Sequence, residues 1–503
     1  MREKFLAIKN KIESFAAKPA YVFIVCMIAF MFHALAWDAA GLVLFAVTGG
    51  LFLVIFDDPR PALAVIFCTV FVISTQNSNG HYDDEIVYFF KPHILITLIV
   101  AGAFLFACMM IRCVKNRKNL LSMKFIVPFA IFAVTIFFSG INNVVKYDFG
   151  RNLIFVFGQI ASYLGLYVVF SCIIDDFDDL HDYVATLIAG IAFLNILEVL
   201  YVYFLNMLPP FGWLPESWRR CMRSGYFFES TRLWKKHIVT GCGVSNTIGA
   251  LLALCLPSIF YKIDHSGKWV VYEILAFAVI ATIVITFSRT ALAVAAVFFV
   301  VLTVRTLIKA KDKKKRTIFL YITAAVVAAI IVASIVLVIV KPNFFELFLP
   351  KNIFMWDRFK LWDIGFKMFE ESPIFGVGYA YPTSNEYLMT YFQASRSMYR
   401  ALLHNFLVQS LASSGIVGTL GLIVSVAWIM KTLVKEKYEG KFYILCFVFG
   451  FIVVTLFDIM YGVPYYVMFL ILMIVIAEKS IKSCKIEKDK NAEIKSDLRR
   501  EVI

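Results

Sequence analysis

Charge is what this sequence has least of. Only 17% of its 503 residues are Asp, Glu, Lys or Arg, against about 25% in soluble domains, which excludes an ordinary soluble fold. Acidic residues are the scarcer sign, 35 against 49 basic. The resulting charge of +14 does not form the patch that nucleic-acid binding needs; the basic residues fall in short runs between apolar segments, the pattern that orients membrane proteins. Metal patterns are missing too. None of the ten cysteines sits in a CxxC or Cys/His spacing suited to zinc, and no outward His or carboxylate cluster has ligand-like spacing. Neither a metal nor another cofactor is therefore expected. Cys26, Cys68, Cys108, Cys172, Cys255 and Cys446 stand alone inside apolar runs, where cysteine is a small hydrophobe. The first apolar run, 20–36, follows Arg2, Lys4, Lys9, Lys11 and Lys18 and lacks a small-residue cleavage pattern, so it reads as a retained span.

What is abundant is apolar length. Hydrophobic residues make up 61% of the chain, and runs of about 17–25 such residues are the unit of a helix crossing a bilayer. About fourteen are found, at 19–36, 39–56, 60–74, 92–111, 123–139, 152–172, 183–207, 245–261, 269–287, 290–308, 318–340, 405–430, 442–458 and 461–477. The expected fold is an all-α polytopic membrane protein, with a long, partly helical extracytoplasmic loop before the twelfth span. Residues 1–340 hold spans one to eleven, 341–404 the loop, 405–478 the last three spans, and 479–503 a basic cytoplasmic tail. With the N-terminus inside, the dense Lys/Arg connections at 112–124, 309–316 and 431–441 all fall on the cytoplasmic side, as the orientation rule requires.

The opposite face then receives the loop at 209–244, the junction Ser288-Arg289 and the 341–404 loop. A loop of the last length is functional or disordered, and its aromatic clusters and Gly turns argue for function. Arg289 sits between two apolar runs, where an arginine either snorkels to the interface or clamps an anion with its planar fork. Arg358 lies one helical turn before Trp362, and Phe359, Trp362, Phe366 and Phe369 recur at helical spacing, suggesting a helix over 356–370 on the outer surface of the bundle. His404, at the mouth of the next span, is either structural or a base for a hydroxyl near neutral pH. The 209–244 loop carries Arg219, Arg220, Arg223, Arg232, Lys235 and Lys236 among three tryptophans. That outward positive charge attracts anionic headgroups or diphosphates, or marks an interfacial segment. Cys221 and Cys242 fall in the same loop. They pair there at a gain of about 3 kcal/mol, or Cys242 opens the next span.

Ser288-Arg289 ahead of a span, Arg358 and Trp362 followed by Pro373-Ile374-Phe375-Gly376-Val377-Gly378, then His404-Asn405 and Gly415-Ile416-Val417-Gly418 together resemble the O-antigen ligase/polymerase superfamily. Asn246, ahead of an apolar run that reaches Pro257, is similar to an asparagine of the same family. The resemblance covers about residues 240–430. It implies a metal-independent glycosyltransferase of the bacterial cytoplasmic membrane, acting at the outer leaflet on sugars carried by undecaprenyl diphosphate. Arg289 and Arg358 would bind the diphosphate, and His404 would activate or orient the acceptor hydroxyl. Trp362, Asn405, Arg219, Arg220 and Arg223 would line the substrate. The expected reaction is polymerisation of lipid-linked repeat units into a surface polysaccharide. The alternatives are ligation of the glycan to a lipid core or a protein hydroxyl and, remotely, polysaccharide or lipid transport; no internal repeat favours a transporter. The implied partners are the lipid-linked donor, a glycan or lipid-linked acceptor, a flippase and a chain-length regulator.

Overall fold

The computed structural model describes residues 2–34, 37–74, 92–116, 122–143, 149–174, 179–207, 226–230, 235–240, 243–286, 288–310, 312–340, 354–379, 403–457 and 464–501. Its helices, in chain order, are α1 (Arg2–Ala16), α2 (Pro19–Ala34), α3 (Asp38–Ile55), α4 (Arg60–Ser74), α5 (Pro92–Lys115), α6 (Ile126–Asn142), α7 (Phe149–Ile160), α8 (Leu166–Ile173) and α9 (Leu180–Met207). There follow α10 (Ser245–His265), α11 (Trp269–Thr286), α12 (Arg289–Lys309), α13 (Lys313–Val340), α14 (Phe354–Glu371), α15 (Phe406–Lys435), α16 (Lys441–Phe457) and α17 (Pro464–Glu501). Each expected apolar run overlaps these helices, the run 152–172 being divided between α7, a π-helical turn and α8. Among the described residues, seven helices are long and apolar enough to cross a membrane, or up to eight with the bent pair α1–α2 taken as one span. Shorter apolar helices at 39–55, 126–142 and 441–457 match three more of the expected runs.

Among the described residues, strands occur as a small antiparallel sheet inside the 209–244 loop. Its strands β1 (Tyr226–Ser230), β2 (Lys235–Thr240) and β3 (Gly243–Val244) pair in that order, with Phe228 opposite His237 and Val239 opposite Val244. Arg219, Arg220, Arg223, Cys221 and Cys242 lie outside the described residues.

The chain divides into two compact units. The first comprises Met1–Lys115 and Asp182–Asn352. In it α3 packs on α4 and α5, and α10 packs on α11 and α12. Helices α9 and α10 are apolar on all sides and largely buried, as a helix at the centre of a bundle must be. The Lys262 ammonium, 3% exposed, donates to both carboxylate oxygens of Asp182 at 2.6 Å and lies 5.5 Å from the Tyr272 ring centre. Helices α1 and α2 meet at 86°. Lys9 and Lys115 bind the Asp57 carboxylate at 2.5 and 2.9 Å, while the Arg112 guanidinium donates to the Phe56 carbonyl at 2.8 Å.

The second unit comprises Asn116–His181 and Ile353–Ile503. Here α15 packs on α6 and α14, and α17 packs on α8. A π-helical turn at Ala161–Gly165 joins α7 to α8. Glu478 of α17 accepts from the Lys124 amide at 2.7 Å and from the Tyr167 hydroxyl at 2.5 Å. Tyr167 in turn accepts from the Phe125 amide at 3.0 Å.

Candidate active site

Helix α14 confirms the helical reading of 356–370, but its packing stripe differs from the expected one. Leu361, Ile364 and Met368 are buried with Val377, Leu403, Val408 and Ala412, and Trp362 packs against that cluster. Phe359 and Phe366 are 48% and 47% exposed. Two apolar stripes overlap on this helix, and branched or flexible side chains occupy the one that meets protein. The closest approach is at Gly365, where a Cβ would meet Val408 and come within 2.9 Å of Leu403. A small residue at such a crossing lets two helices touch. Arg358, half-buried, stands one turn before Trp362. The Trp362 ring meets Phe359 edge-on, with centres 5.2 Å apart. Its indole Nε1 is buried and meets no partner among the described residues.

The crossing of α14 over the start of α15 sets the position of His404. Its φ of 48° lies in the left-handed region, a conformation that costs a non-glycine residue on the order of 1–3 kcal/mol and persists where the surroundings impose it. The surroundings do so on both sides. The Leu403 amide donates to Gln409 Oε1 at 3.3 Å. Asn405 Oδ1 accepts from the amides of Leu407 and Val408 at 2.9 and 3.1 Å. Asn405 is thus the N-cap of α15, a structural duty that its motif reading did not include.

Helix α15 is not continuous. Gly415 has φ 61° and ψ −161°, which breaks the helix into 406–414 and 416–435. Such a break orphans carbonyls on one side and amides on the other, and at membrane depth these must be satisfied within the protein. The segment 372–379 does this as a strap laid across the break. Val377 and Gly378 amides donate to the Ala412 and Ser413 carbonyls at 2.9 and 3.1 Å, and the Ile416 and Val417 amides donate to the Pro373 and Ile374 carbonyls at 2.8 and 3.1 Å. The buried Ser139 hydroxyl shares its proton between the carbonyls of Phe375 and Ser414, at 2.6 and 2.7 Å. The strap bends at Gly376 and Gly378, with φ of 75° and 96°, values that glycine adopts without strain. A polar seam runs along the break. Gln409 Nε2 donates to Ser413 Oγ at 3.1 Å, Ser414 Oγ to the Ser410 carbonyl at 2.8 Å, and Thr419 Oγ1 to Ser410 Oγ at 3.0 Å. The sequence reading passed over this break, since Ser413-Ser414-Gly415 inside an apolar run is compatible with an unbroken membrane helix.

Arg358, Trp362, His404 and Asn405 therefore share one unit, with the strap beside them. Arg289 belongs to the other unit, as the first residue of α12 and half-buried. Ser288 caps that helix, its Oγ accepting from the Ala291 amide at 3.4 Å. Gly249 of α10 abuts the same turn; a Cβ there would lie 2.9 Å from Thr286 Oγ1 and 3.0 Å from Ser288 Cβ. Asn246, one turn earlier on α10, is thereby at the same end of its unit as Arg289.

No curated protein matches this chain. Residues 274–423 match the family model described as O-antigen ligase, a stretch that contains Arg289, Arg358, Trp362, His404 and Asn405. The match supports the O-antigen ligase/polymerase superfamily for the segment that holds α14, the strap and the broken helix.

Proposed function

We propose that this protein is a membrane glycosyltransferase that polymerises undecaprenyl-diphosphate-linked repeat units at the outer leaflet of the cytoplasmic membrane. The observation that carries the reading is the seating of α14 on the start of α15, which holds Arg358 and a strained His404 in one unit within the family-matched segment. In the reaction, an acceptor hydroxyl oxygen bonds to the anomeric carbon of the donor sugar. The bond from that carbon to the diphosphate oxygen breaks, and the lipid diphosphate leaves with the electron pair. The hydroxyl proton passes to His404, histidine being the side chain most often used as a general base. The leaving group is already a weak base, so it needs fixed cations rather than a general acid. Arg358 meets its oxygens with a planar fork, and Arg289 carries the same kind of fork in its own unit.

Transfer from purified lipid-linked repeats, with EDTA present, tests this. Arg358→Lys is expected to lose nearly as much activity as Arg358→Ala, because an ammonium cannot reproduce the fork. Arg289→Lys follows the same pattern, and His404→Ala abolishes transfer while the protein stays inserted and folded. Near-normal turnover in Arg358→Ala or His404→Ala, or loss of wild-type activity to EDTA, would overturn the mechanism. The family description favours a second reading, ligation of the finished glycan from the same donor to a different acceptor. A deletion strain separates the two. A surface-glycan ladder collapsed to one repeat indicates a polymerase, and polymer stranded on its lipid indicates a ligase.

A further inference from the structure

Asn143 closes α6 as its C-terminal cap, and both ends of its side chain, Oδ1 and Nδ2, are buried without a hydrogen-bond partner among the described residues. Buried amides are ordinarily satisfied, so one idle at both ends calls for a reason. Its neighbour Asn152 shows the contrast. Asn152 Nδ2 donates to the Gly140 carbonyl at 2.9 Å, and its Oδ1 accepts from the Tyr379 amide at 2.7 Å. Asn152 thus holds the end of the strap, with both ends of its amide engaged. Gly378 lies between the two amides: a Cβ there would sit 3.0 Å from Asn143 Nδ2 and 3.0 Å from Asn152 Oδ1. The bare backbone of the strap is therefore what brings Asn143 to the same place. Gln159, seven residues after Asn152 and so two turns along the same face of α7, also has its Oε1 buried without a partner among the described residues. The π-helical turn at 161–165 follows at once, a device common at functional sites.

The chemistry of these groups selects a ligand. A carboxamide offers two donors and an acceptor, which complements the adjacent hydroxyls of a sugar ring. Asn152, the side chain that shares Gly378 with Asn143 among the described residues, is neutral too, so the pair suits the hydroxyls of a glycan. We propose that Asn143 is a glycan-binding residue, its carboxamide taking a pair of sugar hydroxyls of the lipid-linked substrate beside Gly378. The proposal rests on the glycosyltransferase reading for the identity of the glycan. The strap then couples two duties, closing the helix break and forming one wall of the sugar position.

Asn143→Leu keeps the size of the side chain and removes its hydrogen bonds. In the transfer assay it is expected to raise KM for the lipid-linked repeat about 10-fold or more, with kcat within a few-fold of wild type, since a site built to bond hydroxyls weakens sharply when its polar group is lost. Melting should stay at or above the wild-type temperature. The second readout uses the repeat oligosaccharide released from its lipid by mild acid, which should raise the melting temperature of wild type and leave that of Asn143→Leu unmoved. Should Asn143→Leu fail to fold, Asn143→Ser is measured in its place. An unchanged KM, or an oligosaccharide shift equal in variant and wild type, overturns the proposal. If wild type shows the shift but transfers no sugar, the transferase reading falls and Asn143 stands as a glycan site. If wild type transfers sugar but the shift and KM ignore Asn143, the reverse holds.

Discussion

Replacing Gly415 by alanine asks whether the broken helix is obligatory. With φ 61° and ψ −161°, the backbone occupies a region open essentially to glycine, where another residue costs on the order of 1–3 kcal/mol. The new Cβ would also press on the Ile374 carbonyl and the Gly376 amide nitrogen. Those atoms can retreat only by loosening the strap, whose four amide–carbonyl bonds are each worth about 1 kcal/mol net. Strain together with two lost bonds gives roughly 3–5 kcal/mol. At roughly 2 °C per kcal/mol, melting should fall by about 6–10 °C. Gly158→Ala is the control, for nothing lies within 4 Å of a Cβ there and alanine in a helix gains roughly 0.5–1 kcal/mol over glycine. Melting of the detergent-purified proteins is followed by intrinsic fluorescence. A Gly415→Ala protein that melts with its Gly158→Ala counterpart would refute the reasoning and mean that 406–435 can run straight through.

Further expectations concern the cap, the inner tie and the orientation. Asn405→Ala should lose about 1 kcal/mol through the α15 cap, while Asn405→Asp, which keeps the accepting oxygen and adds a charge suited to a helix start, should retain stability; equal losses in both would remove the cap as the cause. Hydrogen bonds from Lys9 and then Lys115 hold the exposed Asp57 carboxyl at about 2, below its ordinary range. The folded value lies under the unfolded one, so this tie is intact above about pH 4 and fades as pH falls through 2. Protection of the α1 amides, their exchange rate taken relative to the intrinsic rate at each pH, should fall over that window, and in Asp57→Asn it should be low already at neutral pH. Finally, Ser384→Cys on intact cells should react with an impermeant thiol reagent; labelling only after lysis would reverse the proposed orientation.

The sequence made some layers of this protein easy to read and hid others. Hydropathy found the helices because an apolar run in lipid has little choice but to close its own hydrogen bonds. The span from Arg358 to Phe369 announced a helix by its period. Its buried side was not legible, because aromatics at 359, 362, 366 and 369 form a stripe as regular as that of Leu361, Ile364 and Met368. The interruption at Gly415 was hidden for a different reason. Glycine and serine are ordinary inside membrane helices, and only the partner segment 372–379, some forty residues away in the chain, makes the break affordable. The roles of Ser139, Asn143 and Asn152 are of the same kind: each depends on a strap more than two hundred residues downstream, which no local pattern could reveal.

The right angle between α1 and α2 has a mechanical consequence. If α2 stands along the bilayer normal, α1 runs in the plane of the leaflet, its exposed Ile8 and Phe15 sharing a face with Lys4 and Lys11, whose long stems carry the ammonium groups past the apolar side chains to headgroups. A rod lying flat resists being pulled up or pushed down, as a float does. Through the Lys9–Asp57 link it fixes the depth at which the connection from α3 to α4 rides in the membrane.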